Sequence, residues 1–400
     1  MKITVLGAGN AGCLTALHYG FFGRIHKKVE VELIHNPDKK PEKVGQGTLL
    51  DLPKLLWESM GFNMMENRLD ATPKHGILYE NWGKKNELVP HPFPPTKTAL
   101  HISPAQLQDS ILKSGYFKVI EKDIDSYDEI DSDFIFDCRG KPSQKELESD
   151  AYDILTGHVN SVILANAPGA DLRQHWTKAI ATPDGWCFAI PLGDYTTSYG
   201  YLYDHTVTSE EKARSNFQQM FGVQLPISFG PSSDVFKFDQ YVAKEPIIDN
   251  RIILNGNRLF FFEPLEATAM STYSSWNQMT WAWIVDKFET PKTLKRTIKI
   301  YAHKISNFVS WHYTYGSKYD TPFWQKAKKE SVLKYVNTSD QQLRHIIKMA
   351  TENSHREIRK KLQDGIFYDW IYAQWDVLSF HYWIEGMTKK INHPNRYPFE

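Results

Sequence analysis

Cysteine is scarce in this 400-residue chain: only Cys13, Cys138 and Cys187 occur. An odd, widely spaced set cannot build a disulfide framework. Neither C-x-x-C nor H-E-x-x-H is present, so no metal site is expected. Net charge is missing as well, with 47 Lys+Arg against 47 Asp+Glu. That balance carries no footprint of a nucleic-acid or anionic-membrane partner. No apolar run is long enough to span a bilayer. The first apolar stretch starts at residue 2 and leaves no room for a secretory leader. A soluble, reduced, cytoplasmic protein is expected, and the sequon Asn337-Thr338-Ser339 is read as coincidence. Internal repeats, low-complexity tracts and a clear interdomain linker are absent too. Oligomeric state stays open, a homo-oligomer included.

Aromatic residues are plentiful at 14%, with 12 Trp and 20 Tyr. They serve a large core or a site that stacks flat rings. The most informative stretch is residues 2–17, KITVLGAGNAGCLTAL. Residues 2–6 read as a buried strand, Gly7-Ala8-Gly9-Asn10-Ala11-Gly12 fits G-x-G-x-x-G, and residues 13–19 continue at helical spacing. A second strand at 29–35 completes a βαβ unit. Gly7 permits the bend, Gly9 lets a phosphate approach the backbone, and Gly12 lets helix and strand pack closely. Free N–H groups of Asn10, Ala11 and Gly12 at the helix start favour a pyrophosphate. The second strand ends in His35, where an Asp or Glu normally holds the ribose. Tight NAD binding is disfavoured by that change, whereas a flavin dinucleotide with other contacts tolerates it.

Further along, residues 49–60 read as a helix stopped at Gly61. Residues 72–76 read as a turn and 77–79 as a short strand. Residues 89–96, with Pro90, Pro92, Pro94 and Pro95, read as an extended loop. Ser103 caps a helix with Pro104 in its first turn. Residues 134–140 form a strand returning to the first sheet. Strands at 159–166, 186–191, 199–203 and 236–242 make a second, mixed sheet. Residues 251–262 read as strand, Gly256 turn, strand; 263–270 open a helix, and 276–386 are mostly helical. This gives an α/β chain with one fused unit: a dinucleotide-binding and substrate-sheet module at 1–275 and a helical covering region at 276–400.

Gly185-Trp186-Cys187-Phe188-Ala189-Ile190-Pro191-Leu192 resembles the W-x-W-x-I-P signature of the flavin-dependent halogenases, the tryptophan halogenase family. Val44-Gly45-Gln46-Gly47-Thr48 resembles that family's G-V-G-E-x-T flavin strap. Thr72-Pro73-Lys74-His75-Gly76-Ile77 resembles the segment of its catalytic lysine, with Asn81-Trp82 following. Asp137-Cys138-Arg139-Gly140, Phe262-Glu263-Pro264-Leu265-Glu266-Ala267-Thr268, His312-Tyr313 and Asp320-Thr321-Pro322-Phe323-Trp324 match further family segments in order.

The resemblance implies a Rossmann-like FAD-binding domain of the flavin monooxygenase/halogenase type. It implies FAD used as FADH2, O2, a halide (chloride, bromide or iodide) and an electron-rich aromatic substrate such as an indole or phenol. No second nucleotide motif is present, so a separate NAD(P)H-flavin reductase is the expected partner. Hypohalous acid made at the flavin is delivered through Lys74. Without the surrounding motif, Lys74 would read as a solvated turn lysine. Glu266 is its catalytic partner, or else a first-turn Glu favoured by the helix dipole; Glu263 is the poorer candidate. Backbone N–H groups of Thr268 and Ala269 offer the halide site. Trp186, Phe188, Ile190 and Pro191 form a wall between flavin and substrate, or else an ordinary core strand. His35, Gln46, Asn257 and Met270 complete the flavin contacts. Gln46 for Glu, Phe188 for Trp and Asn257-Arg258 for a small apolar pair depart from the family pattern. Two alternatives remain: a flavin monooxygenase that hydroxylates an arene, and an inactive flavoprotein acting as a binding module.

Overall fold

The computed structural model describes residues 1–26, 29–41, 44–94, 97–223, 235–365 and 371–390. Its first sheet has six strands in the order Ile247–Ile248, Ile252–Leu254, Phe134–Asp137, Lys2–Leu6, Glu30–His35, Lys118–Glu121. All neighbours run parallel except the first pair. Ile3, Val5, Leu33, Ile135, Phe136 and Ile253 are buried, as a parallel sheet covered on both faces requires. Helix Asn10–His26 follows the first strand directly and starts three residues ahead of the expected position. The carboxyl ends at Leu6, Asp137 and Leu254 lie side by side.

The second sheet has seven strands in the order Val235–Lys237, Ser161–Pro168, Thr196–Tyr203, Gly185–Pro191, Thr177–Thr182, Gly76–Glu80, Leu88–Pro92. Gly185–Pro191 is buried along its whole length. Its side chains alternate between two cores. Trp186, Phe188 and Ile190 join the main apolar cluster, which runs from Ile3 to Met387. Cys187 joins a smaller one with Tyr201 and Phe217 beneath helix Glu210–Phe221.

Three expectations are corrected. Residues 72–76 are not a turn: Thr72–Lys74 is a strand, paired antiparallel with Ala99–Ile102. Residues of positive φ flank it, Asp70 at 47° and Gly76, the first residue of the next strand, at 154°. A Cβ on Gly76 would meet the His91 carbonyl at 2.3 Å, so the glycine belongs to strand pairing. The proline-rich stretch is also partly strand, Leu88–Pro92, at the edge of the second sheet. Proline is tolerated at an edge, where its missing N–H breaks no ladder; Pro95 lies outside the described residues. Residues 236–242 divide between sheets. Val235–Lys237 extends the second sheet, and Gln240–Ala243 pairs with Tyr152–Leu155 and Phe260–Phe261 in a separate three-stranded sheet.

Other elements fall where the sequence places them. Gly61 ends helix Leu52–Met60 in a left-handed cap, and Ser103 caps helix Pro104–Leu112. The C-terminal part is formed by helices Pro291–His312, Pro322–Asn337, Gln341–Glu352, His355–Gln363 and Val377–Thr388. Unexpected is a hairpin of two two-residue strands, Ile371–Tyr372 and Trp375–Asp376. Among the described residues no helix is long and apolar enough to cross a membrane.

Candidate active site

The glycine turn closes over the carboxyl end of the first sheet. Gly7 has φ 96°, and a Cβ on Gly12 would lie 1.8 Å from the Gly7 carbonyl oxygen. Around Gly9 a Cβ would meet nothing within 4 Å, so the turn is open outward at the helix start. That cradle fits a dinucleotide pyrophosphate. Gly12→Ala forces backbone apart, so we expect a loss of stability of about 1–3 kcal/mol together with weaker flavin binding. Wild-type melting and wild-type flavin affinity would contradict this close contact.

Among the other flavin candidates, Asn10 accepts a hydrogen bond from Gln108 at 2.9 Å, and Ala11 is buried against Gly256, whose Cβ would meet it at 2.5 Å. His35 is half-buried at the end of its strand, opposite Glu121. The Asn257 carbonyl accepts from Tyr241 at 2.7 Å and its side chain from Tyr273 at 3.4 Å. Met270 is buried in the first turn of helix Thr268–Ile284. The unusual Arg258 acts structurally, pairing with Asp137 at 3.3 Å and with Glu146.

Lys74 is fully buried. Its strand and the strap strand Gln46–Gly47 flank the same partner, Ala99–Ile102. This small sheet brings the strap to the lysine. Lys74 Nζ donates to the Thr48 carbonyl at 3.1 Å, and a Cβ on Gly47 would lie 3.0 Å from that nitrogen. The Phe93 ring lies 5.5 Å from the amine. Burial drives the Lys74 pKa down to about 7, with Glu266 pulling it upward. Beneath the strand, His101 bridges Thr72 at 2.9 Å and Thr177 at 2.8 Å, while the Thr72 hydroxyl donates to the Pro191 carbonyl at 2.8 Å. The lysine strand is thereby tied to the wall strand.

Glu266 acts on this amine electrostatically. Glu266 and Ala267 are both left-handed, with φ 70° and 54°, a conformation that costs a non-glycine residue about 1–3 kcal/mol. Four donors converge on the buried carboxylate. Oε1 accepts from Tyr79, from His91 Nδ1 at 2.9 Å and from His312 Nε2 at 3.3 Å. Oε2 accepts from Trp375 Nε1 at 3.2 Å. Burial works to raise the Glu266 pKa, but the charge and hydrogen bonds of His91 and His312 hold it well below the usual carboxylate range. Thr268 and Ala269 form the first turn of the following helix, where N–H groups have no carbonyl partner within the helix.

Trp186 and Phe188 lie on one face of the wall strand, ring centroids 6.3 Å apart. A Cβ on Gly200 would strike the Phe188 ring at 2.2 Å. Glu263 is also fully buried; it accepts from Tyr313 at 2.6 Å and Gln240 at 3.2 Å, and burial pushes its pKa up to about 7.

Sequence reasoning missed the cage around Glu266. His91 was hidden in the proline run and Tyr79 in a short strand. His312 was noted only as half of a motif, and Trp375 sits in the unexpected hairpin. Strand register gives the missing signal. Ile77 faces His91 across the pair, which puts Tyr79 and His91 on the same face.

The chain is similar to known proteins in sequence and in fold. The profile of the tryptophan halogenase family matches residues 2–110 and 112–364. The tryptophan 7-halogenase RebH of Lentzea aerocolonigenes is 28% identical over 212 residues, which is 50% of this chain and 38% of RebH. The match therefore spans well under half of that relative's length. Solved structures share the fold. The tryptophan 6-halogenase SttH of Streptomyces toxytricini has TM-score 0.74 at 16% identity, covering 96% of this chain and 90% of SttH. BrvH, a flavin-dependent halogenase from Brevundimonas sp. BAL3, has TM-score 0.71 at 14% identity, covering 98% of this chain and 91% of BrvH. With a glycine cradle, a buried lysine beside its strap and a family profile matched over nearly the full length, the chain belongs to the tryptophan halogenase family.

Proposed function

We propose that this protein is an FADH2- and O2-dependent halogenase that directs hypohalous acid through Lys74 onto an electron-rich aromatic substrate. The observation that carries this reading is a lysine amine with no solvent exposure, held against the strap and within electrostatic reach of a caged carboxylate. Gly7, Gly9, Asn10, Ala11 and Gly12 hold the flavin, with His35, Gln46, Asn257 and Met270 beside it. When bound in reduced form, the flavin supplies the two-electron chemistry that turns halide and O2 into hypohalous acid.

The chain's own residues do the rest. The N–H groups of Thr268 and Ala269 receive the halide. Lys74 fixes the electrophilic halogen at one point. Glu266 stabilises the cationic ring by its charge. Trp186, Phe188 and Ile190 keep the arene away from the flavin, while Pro191, at odd register in the same strand, falls on the opposite face and leaves the expected wall. A separate NAD(P)H-flavin reductase supplies reduced flavin, and the substrate is a small indole, phenol or anilide.

Mass spectrometry of an arene panel, incubated with enzyme, reductase and each halide in turn, tests this. Halide-dependent halogenated products are expected; halide-independent hydroxylation would assign a monooxygenase instead. Trp186→Ala is expected to add hydroxylated side products by thinning the wall. An unchanged product distribution would contradict its role.

A further inference from the structure

We propose that His101 is a positioning residue for Lys74: it sets the direction of a hydrogen-bond chain that fixes the lysine strand against the wall strand. The inference rests on the halogenase reading above and adds a residue to it. His101 stands on strand Ala99–Ile102 directly opposite Thr72, and Lys74 follows two residues on, on the same face as Thr72. His101, Thr72, Lys74 and Thr177 are all buried. Lys74 and Thr177 also meet at one point. The place where a Cβ would stand on Gly47 is 3.0 Å from Lys74 Nζ, 3.3 Å from Thr177 Oγ1 and 3.5 Å from the Cβ of Ala267, the residue after Glu266.

One proton assignment satisfies every contact in the chain. The Thr72 hydroxyl has a single hydrogen and lies 2.8 Å from the Pro191 carbonyl, which can only accept. Thr72 Oγ1 therefore accepts at its other contact, 2.9 Å from His101 Nδ1, so Nδ1 carries the ring hydrogen. In a neutral imidazole the second nitrogen is then an acceptor, and the Thr177 hydroxyl donates to Nε2 at 2.8 Å. The chain runs from Thr177 to His101 to Thr72 to Pro191. It crosses from strand Thr177–Thr182 through Ala99–Ile102 and Thr72–Lys74 to Gly185–Pro191. Every donor points the same way, and hydrogen bonds in such a chain polarise and strengthen one another.

The ring is held neutral. Burial acts first, then the charges of Lys74, His175 and His75, and together they keep the His101 pKa well below the usual imidazole value. A protonated ring would donate from both nitrogens, turn the Thr177 hydroxyl away and put a second cation beside the amine. A side chain that only filled space here would need no polarity. With the polarity fixed, Thr72 stays pinned to the carbonyl at the end of the wall strand. Lys74, two residues on, keeps its reach to the Thr48 carbonyl at 3.1 Å. A displacement of about 1 Å at such a group can cost on the order of 10²-fold in rate.

The test assays variants with flavin reductase, NADH, FAD, O2, bromide and indole, with free methionine trapping escaped hypobromous acid as its sulfoxide. The readout is bromoindole formed per sulfoxide formed. His101→Gln puts an acceptor where Nε2 stands and removes the donor to Thr72. His101→Asn keeps that donor and gives up the contact with Thr177. The ratio is expected to fall about 10-fold or more in His101→Gln and in Thr72→Val, and to stay within about 3-fold of wild type in His101→Asn. Product plus sulfoxide should stay level, since the oxidant is made at the flavin. A loss of stability alone would lower that total and leave the ratio unmoved. Nitrogen NMR of the ring at neutral pH is expected to find the His101 hydrogen on Nδ1. A hydrogen on Nε2 instead, a wild-type ratio in His101→Gln or Thr72→Val, or an equal fall in His101→Asn overturns the inference and leaves the halogenase reading standing. If the wild type brominates no indole, the halogenase reading fails and the inference with it.

Discussion

Lys74→Met is expected to abolish regioselective halogenation, by about 10³-fold or more, while hypohalous acid still escapes into solution. The same variant is expected to fold more stably than wild type. The two results share one cause. A lysine with no exposure and a pKa near 7 loses its proton on folding once the pH is above about 7. In the unfolded chain the amine keeps the proton up to its usual value near 10.5. Folded and unfolded states then differ by one proton between about pH 7 and 10.5, and stability rises with pH through that window. At or below pH 7 the cost is at its full size, on the order of 3–5 kcal/mol. Methionine removes that cost and leaves the Thr48 carbonyl without its donor, worth about 1–2 kcal/mol in the other direction. Denaturant titration should show a net gain of about 2–3 kcal/mol at pH 7 that fades towards pH 10. A variant less stable than wild type at pH 7 would mean that the ammonium is well solvated. The activity profile follows the same proton. Below pH 7 the amine is charged; above it the neutral amine can carry halogen covalently. Arene halogenation is expected to rise through about pH 7 and then level off. A fall through the same point would assign the ammonium, acting by hydrogen bonding.

Much of the fold could be read from local chemistry. The glycine turn after an apolar strand, Ser103 before Pro104, and Gly61 at a helix end each carry a physical reason within a few residues. Thr72–Lys74 could not be read that way. Its neighbours Asp70 and Gly76 carry turn signals, and only pairing with Ala99–Ile102, some 25 residues on, makes the segment a strand. Leu88–Pro92 escaped for a related reason. Proline excludes central strands, and the sequence does not say which strand lies at an edge. The same division holds at the site. Lys74 and Glu266 stand in recognisable segments, so the resemblance singles them out as candidates. Their properties come from elsewhere. Thr48 and Gly47 reach Lys74 through a shared strand, and His91, His312, Tyr79 and Trp375 reach Glu266 from four separate elements. Apart from the strand register that puts Tyr79 and His91 on one face, nothing in the spacing of these residues marks them as neighbours. Arg258 is the clearest departure with a local explanation, since its guanidinium joins Asp137 and Glu146 and so secures the loop after Gly256.

Glu266→Gln is expected to lower kcat by about 10²–10³-fold while the KM for the arene stays within a few-fold. The substitution keeps the side chain's shape and removes its charge. In the wild type the three donors on Oε1 and one on Oε2 hold the carboxylate ionised. A carboxylate so far below its usual pKa range is a poor proton acceptor, so in the proposed reaction it would act mainly as negative charge beside the cationic ring intermediate. Charge stabilisation acts on the transition state and leaves ground-state binding nearly unchanged, which is why kcat falls and KM does not. The amide also meets the cage badly. With its oxygen turned to Tyr79, His91 and His312, its NH2 faces the Trp375 N–H, two donors with no acceptor between them. That mismatch is expected to cost about 1–3 kcal/mol of stability, with less now holding Glu266 and Ala267 in their left-handed backbone. Glu266→Asp separates the two effects. It restores the charge but withdraws the carboxylate from the cage by one methylene. Partial recovery of kcat with no recovery of stability is the expected result, read from steady-state kinetics and melting temperature on the same preparations. Wild-type kcat in Glu266→Gln would show that the ring cation forms beyond the reach of this carboxylate.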